Sequence, residues 1–181
     1  AFDGSYAFLF NAVLRGDSLF GRFRSGTHSQ EPWYAVRNPA FELRDPDSLT
    51  FLKEGHDMVD IRLPNLQGDS ISPMDAPYTG HVRMVQVMGS WCPNCMDESV
   101  YLSSLYAKYK NEGLQIIALA FEKTTDFDKA SALLLRMKTR LKMDYDILIT
   151  QQSGSAKASE TFPALNKITA FPTTIYLNKK H

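Results

Sequence analysis

The chain has 181 residues, 44% of them apolar, with 20 acidic and 20 basic side chains. That length suits one ordinary domain with a smaller one attached, and balanced charge gives no reason to expect nucleic acid or an anionic membrane surface as a partner. No apolar run approaches the roughly 18 residues of a transmembrane helix, and the opening Ala1-Phe2-Asp3-Gly4 has neither start methionine nor signal peptide, so whatever preceded it is expected to have been removed.

Residues 1–56 read as a β-rich N-terminal segment, part of a domain. Tyr6–Phe10 and Leu19–Phe23 are short aromatic strands on either side of a turn at Arg15-Gly16-Asp17, and Trp33–Val36 is a further strand. The aromatic alternation predicts a small β core rather than a ligand cradle. The prolines of Asn38–Asp47 favour an extended linker. From Asp57 a hairpin is expected: a strand over Val59–Pro64, a turn at Asn65–Asp69 and a return at Ser70–Ser72, followed by a loop at Asp75–Gly80.

The chemistry concentrates between Val82 and Glu98. Val82, Met84, Val85, Val87 and Met88 predict a buried strand, broken at Gly89-Ser90, and from Pro93 the pattern turns helical. Between them lies Trp91-Cys92-Pro93-Asn94-Cys95, which holds the only two cysteines of the chain. A Cys-x-x-Cys where a strand runs into a helix puts the first thiol over unpaired N–H groups and the positive end of the helix dipole. Both favour thiolate over thiol. Pro93 suits the first helical turn, where its absent N–H is not needed. Cys92 therefore reads as an exposed attacking thiolate and Cys95 as its buried resolving partner. Two cysteines do not staple a fold of this size. A structural zinc site needs four ligands, and His28, His56, His81 and His181 show no metal spacing. A c-type haem needs His after the second cysteine, where Met96 stands. No metal and no cofactor is expected.

The helix is predicted to run to about Asn111, with Leu102, Leu105, Tyr106 and Tyr109 on its buried face and Gly113 as its C-cap. Cys95 and Glu98 fall on that face, which aims the Glu98 carboxylate toward the core near the cysteines. Asp97, Tyr101, Ser104 and Lys108 fall on the other. Leu114–Phe121 is a continuous apolar strand of the kind covered on both faces in a parallel sheet. Thr124-Thr125-Asp126 caps a helix with a stripe at Phe127, Ala130, Leu134, Met137 and Leu141. A strand at Tyr145–Ile149, a loop at Gln151–Ser155, a short helix at Ala156–Thr161 and a strand Thr173–Leu177 after Phe171-Pro172 complete the pattern.

Gly89-Ser90-Trp91-Cys92-Pro93-Asn94-Cys95, Glu98 and Phe171-Pro172-Thr173-Thr174 resemble the thioredoxin superfamily, specifically thiol–disulfide reductases of the TlpA/ResA type. The resemblance covers residues 57–181 and implies an α/β thioredoxin-like fold, a central mixed sheet flanked by helices. Residues 1–56 are similar to the later half of a β domain that precedes this unit in some bacterial members. It implies that Pro172 is cis beside the cysteines, where it excludes metal and leaves backbone free to pair with an extended substrate. Cys92, Cys95 and Glu98 are then the catalytic residues, with Glu98 the proton acceptor for Cys95, and Trp91, Pro93, Phe171, Pro172 and Thr173 meet the substrate. The implied partners are disulfide-containing proteins and an upstream thiol electron donor, in the periplasm or another extracytoplasmic space, with a lipid anchor conceivable before Ala1. Thioredoxin itself carries a buried Asp six residues before the first cysteine; Gln86 stands there. A complete domain of this type continues past a strand like Thr173–Leu177 with another strand and a helix. The sequence therefore predicts an open sheet edge, one sheet face without a helix, and a protein that continues beyond His181. Two other readings compete. A peroxiredoxin-type peroxidase shares the fold, but Val85–Met88 supply neither Pro nor Thr of its Pro-x-x-x-Thr-x-x-Cys signature. A non-enzymatic binding module would keep the disulfide for structure only.

Overall fold

The computed structural model describes residues 8–25, 29–45, 48–56, 60–152 and 155–180. The chain forms two compact units, Ala1–Arg44 and Asp45–His181.

The first unit holds three antiparallel strands, β1 (Phe8–Arg15), β2 (Ser18–Ser25) and β3 (Ser29–Val36), paired in that order. Pairing makes the strands longer than local pattern predicts. The register runs through Arg15↔Ser18, so Arg15 belongs to β1 and the turn shrinks to Gly16-Asp17, where Gly16 takes the left-handed φ of 58°. Of the strand expected at Tyr6–Phe10, Tyr6 and Ala7 lie outside the described residues. Register puts Phe10 opposite Phe23 and Gly21 opposite Trp33, so their side chains share a face. Rings meet there at 4.7 Å (Phe10–Phe23) and 6.0 Å (Phe10–Trp33). The expected β core is not formed by this sheet: Phe10 and Tyr34 remain 57% and 73% exposed.

The second unit is built on a mixed sheet of order β8-β7-β6-β9: Asp146–Ile149, Leu114–Ala120, Val82–Met88 and Thr173–Leu177. The first three strands are parallel and β9 is antiparallel to β6. A small hairpin, β4 (Leu63–Pro64) with β5 (Ser70–Ile71), precedes it, shorter than the pattern suggests. Val59 of that expected strand lies outside the described residues, while Asn65 caps the turn by accepting N–H bonds from Gln67 and Asp69, both at 2.9 Å. Three helices follow the strands: α1 (Pro93–Tyr109), α2 (Phe127–Leu141) and α3 (Ser155–Thr161), with Ser153 and Gly154 of the loop before α3 outside the described residues. Asp126 caps α2 by accepting the Lys129 N–H at 3.1 Å, and Gly113 takes φ 93° after a closing 3₁₀ turn behind α1.

Period-two alternation on β6 sends Met84, Gln86 and Met88 to one side and Val85 and Val87 to the other. The first side packs under α1 and α2 with Cys95, Leu102, Ala130, Leu134 and Met137. The second is not bare, as the sequence suggested. Ala158 of α3 covers it together with Phe162, Leu165, Ile168, Ile61 and Tyr78. Each fully buried Leu, Ile, Val or Met contributes about 1.5–3 kcal/mol over exposure, so the sheet holds both helical layers in place. The segment before the hairpin is fastened here too: Leu52 bridges Leu165, and Lys53 N–H donates to Ala164 O at 2.8 Å. Arg83 of β6 has no exposed surface. Its Nη1 donates to Pro73 O at 2.8 Å and its Nη2 to Asn178 O at 3.3 Å, while Nε has no partner among the described residues.

Candidate active site

The first strand-to-helix crossover positions the cysteines. β6 ends at Met88, the chain turns with Cys92 N–H donating to Gly89 O at 3.0 Å, and α1 begins at Pro93. Cys92 is the N-cap, with extended backbone (φ −97°, ψ 113°), and its Sγ accepts the Cys95 N–H at 3.2 Å. That is the place where a helix leaves N–H groups unpaired and where negative charge on sulfur is favoured. Cys92 and Cys95 form a disulfide, their Cα atoms 5.2 Å apart. The inner sulfur residue is wholly buried and Cys92 is 5% exposed. Cys92 is thus less open than its sequence position suggested, and the difference in access between the two remains.

Trp91 covers the turn. Its indole Nε1–H donates to Phe121 O at 2.7 Å, and its ring lies 5.5 Å from Phe171, which meets Phe121 at 5.8 Å. A side chain at Gly89 would run into that indole and approach Phe121 O to 2.9 Å, so only glycine fits. The Phe171–Pro172 peptide bond is cis. Thr173 Oγ1 donates to Ala170 O at 2.8 Å and fixes the bend before β9. Pro93, Phe171, Pro172 and Thr173 are half-buried. The rings therefore join Trp91, on the cysteine turn, to the proline loop.

Glu98 lies one turn into α1, half-buried, with both oxygens occupied. Gln86 Nε2 donates to one at 2.7 Å and Thr174 Oγ1 to the other at 2.8 Å. Gln86 and Thr174 face each other across the β6–β9 pairing, which is why both reach the same carboxylate. Ser99 closes the group, within 3.2–3.3 Å of the Gln86 amide. Nearby, Tyr145 is 4% exposed, and its hydroxyl makes no hydrogen bond of good geometry among the described residues. Burial pushes that phenol up to about 12, against the opposing pull of the nearby Ser103 and Ser99 hydroxyls and with a smaller upward push from the Glu98 charge.

Sequence reasoning passed over Gln86 and Thr174 as partners of Glu98, although alternation on β6 already turns Gln86 toward the helix. It missed Glu122 altogether. This carboxylate, 3% exposed, accepts the Ser90 N–H at 2.7 Å and the Ser90 hydroxyl at 2.6 Å. Local sequence gives no signal for it, because Glu122-Lys123-Thr124 has the composition of a solvated loop.

Parallel strands crossing over through helices, one antiparallel strand beside the dithiol turn and helices on both faces make this a thioredoxin-like fold. Residues 55–180 match the model of the AhpC/TSA family, and the chain belongs to that family. It is similar to the thiol-disulfide oxidoreductase ResA of Bacillus cereus, 37% identical over 60 residues that cover 33% of this chain and 34% of that protein. The ResA of Halalkalibacterium halodurans is 26% identical over 132 residues, 70% of this chain and 64% of that protein. The chain thus spans between a third and two thirds of these two relatives. Among solved structures, a thiol-disulfide oxidoreductase from Bacteroides fragilis superposes with a TM-score of 0.54 at 17% identity, covering 66% of this chain and 81% of that one. A DsbF homologue from Corynebacterium diphtheriae gives a TM-score of 0.54 at 20% identity, covering 78% and 85%. The fold and the resemblance to the TlpA/ResA group both hold.

Proposed function

We propose that the protein is a thiol–disulfide oxidoreductase that reduces disulfides of extracytoplasmic partner proteins by cycling Cys92 and Cys95. The observation that supports this reading is a cysteine pair whose outer member caps a helix and whose neighbour Trp91 lies 5.5 Å from the ring of Phe171, the residue joined to Pro172 by a cis bond. Reduced Cys92 attacks one sulfur of the partner disulfide as a thiolate; a mixed disulfide forms and the partner's other sulfur leaves as thiolate. Cys95 then loses its proton to Glu98 and attacks Cys92 Sγ, which breaks the mixed disulfide and releases the second partner thiolate. Two electrons have passed to the partner, and Cys92–Cys95 is a disulfide again, to be reduced by an upstream thiol donor. Trp91, Pro93, Phe171, Pro172 and Thr173 form the substrate-facing group in this reading, with the Trp91 and Phe171 rings 5.5 Å apart. No metal or other cofactor enters these steps.

A peroxide-reducing reading finds no support in the residues, since Val85 and Gly89 stand where its proline and threonine belong. The test is the thiolate absorbance of the reduced protein against pH, with Cys92→Ser alongside. An apparent pKa well below the ordinary thiol value of about 8.5, lost in the variant, is expected. A titration at the free-cysteine value that ignores the substitution would return the pair to a structural role in a binding module.

A further inference from the structure

Glu122 is a buried carboxylate that the exchange steps above do not use. One residue supplies both of its hydrogen bonds: Ser90 donates through N–H at 2.7 Å and through Oγ–H at 2.6 Å. Its neighbour Phe121 donates to Met88 O at 2.8 Å and accepts from Trp91 Nε1 at 2.7 Å. Two residues after β7 thus hold the whole turn that delivers Cys92. Ser90 is two positions before Cys92, and two residues of chain reach at most about 7 Å. Among the described residues no cation forms a salt bridge with Glu122. A buried charge held by the turn that carries a thiol acts on it more strongly than the same charge in water.

We propose that Glu122 is a positioning residue that sets the redox poise of the cysteine pair: it fixes the turn before Cys92, and its charge opposes thiolate formation there, which makes the dithiol a stronger reductant. The inference rests on the dithiol reading given above. The exchange that measures it is the reduced protein plus glutathione disulfide going to oxidised protein plus two glutathione thiols. The two cysteine sulfurs give up two electrons and their protons, and the glutathione sulfurs take them. Whatever destabilises the Cys92 thiolate destabilises the reduced protein and drives this reaction forward. DsbA shows the opposite sign, being a strong oxidant because its reduced form is stabilised. Glu122 is the carboxylate held by the turn before Cys92 itself, and the other groups near the pair are the same in wild type and variants, so a difference between them reports Glu122. On α1, Glu98 is tied to Gln86 and Thr174, and Asp97 is exposed. Residues 170–174 carry no charge, β6 contributes the neutral Gln86, and Tyr145 from before β8 is held as the neutral phenol. Lys123 lies 5.6 Å from the Trp91 ring, but it is exposed, where solvent and salt screen it.

Glu122→Gln separates charge from shape. The amide oxygen still accepts the Ser90 N–H and the amide NH₂ can donate to Ser90 Oγ, so the turn stays held while the charge is gone. Two measurements are made on wild type and variant: iodoacetamide alkylation of Cys92 against pH, and the equilibrium with glutathione. In Glu122→Gln the apparent Cys92 pKa is expected to fall by about half a pH unit or more. The equilibrium constant for reducing glutathione disulfide should drop at least about threefold, or about 15 mV. Ser90→Ala, which strips one donor from the carboxylate and leaves its charge, should shift both readings the other way. If wild-type Cys92 alkylates with the pKa of a free cysteine, about 8.5, the dithiol reading itself fails. If wild type behaves as a dithiol and neither variant moves the pH profile or the equilibrium, Glu122 serves the fold alone and the proposal is overturned.

Discussion

Glu98 stands where three elements meet: α1 carries it, and Gln86 of β6 and Thr174 of β9 each hold one oxygen. A carboxylate fixed from two sides keeps its place whatever the substrate, which is what a proton acceptor for a buried thiol requires. Glu98→Gln should leave alkylation of Cys92 close to wild type and slow the release of reduced partner by about a hundredfold. Trapped mixed disulfide, followed by mass spectrometry during insulin reduction, reports that step. Unchanged release would remove Glu98 from the chemistry. Helical spacing was enough to put Glu98 and Cys95 on one face, because the period of a helix is local. The bonds to Gln86 and Thr174 depend on which strands pair, and the burial of Glu122 depends on a turn 32 residues away folding over it. No local pattern holds that information.

At the scale of elements, α2 was read nearly whole from its stripe. Ala130, Leu134 and Met137 are buried as expected, and Phe127 and Leu141 are half-buried at its ends. Leu134 has no exposed surface while its neighbour Leu135 is 52% exposed. Leu134→Ala should therefore destabilise the protein by about 2–5 kcal/mol, and Leu135→Ala by no more than about 0.5 kcal/mol. Urea unfolding of the two variants checks the contrast, and equal losses would mean that α2 packs by another face. Strands were harder to read than helices. β1 extends five residues beyond the stretch that composition marks, from Phe10 to Arg15, because its register with β2 continues to the two-residue turn. The second sheet face was expected to lack a helix, yet α3 and the residues after it close it. Their apolar positions, Ala158, Phe162, Leu165 and Ile168, keep a helical spacing, but the helix ends at Thr161 ahead of Pro163, so the pattern continues into irregular chain that period alone does not place on the sheet.

For the whole molecule, acid stability follows from a few surface carboxylates. The Arg62 guanidinium at 2.5 Å, helped by the Ser72 N–H, holds Asp75 below its usual range; the Lys129 N–H does so for Asp126, and Lys110 at 2.6 Å for Asp144. A carboxyl depressed in the folded state is more readily protonated when unfolded. Its contribution is therefore present above the unfolded value near 3.8 and is lost as pH falls through the folded value. The urea midpoint should hold steady from neutral pH to about 5 and fall below about 4. A triple Asn variant at these positions should lose part of that fall, and high salt should shrink the difference, since all three pairs are screened. A fall that is identical with and without the three carboxylates would place the acid sensitivity elsewhere. Arg83 has a different bearing on the molecule, one of assembly order. Its partners, Pro73 O and Asn178 O, lie 10 and 95 residues away in sequence. Until the end of β9 arrives, burying the guanidinium strips it of water with only part of its bonding in return. Closing so long a loop is itself entropically opposed. Burial of Arg83 is thus tied to the docking of β9, so one residue links the start of β6 to the end of the last strand.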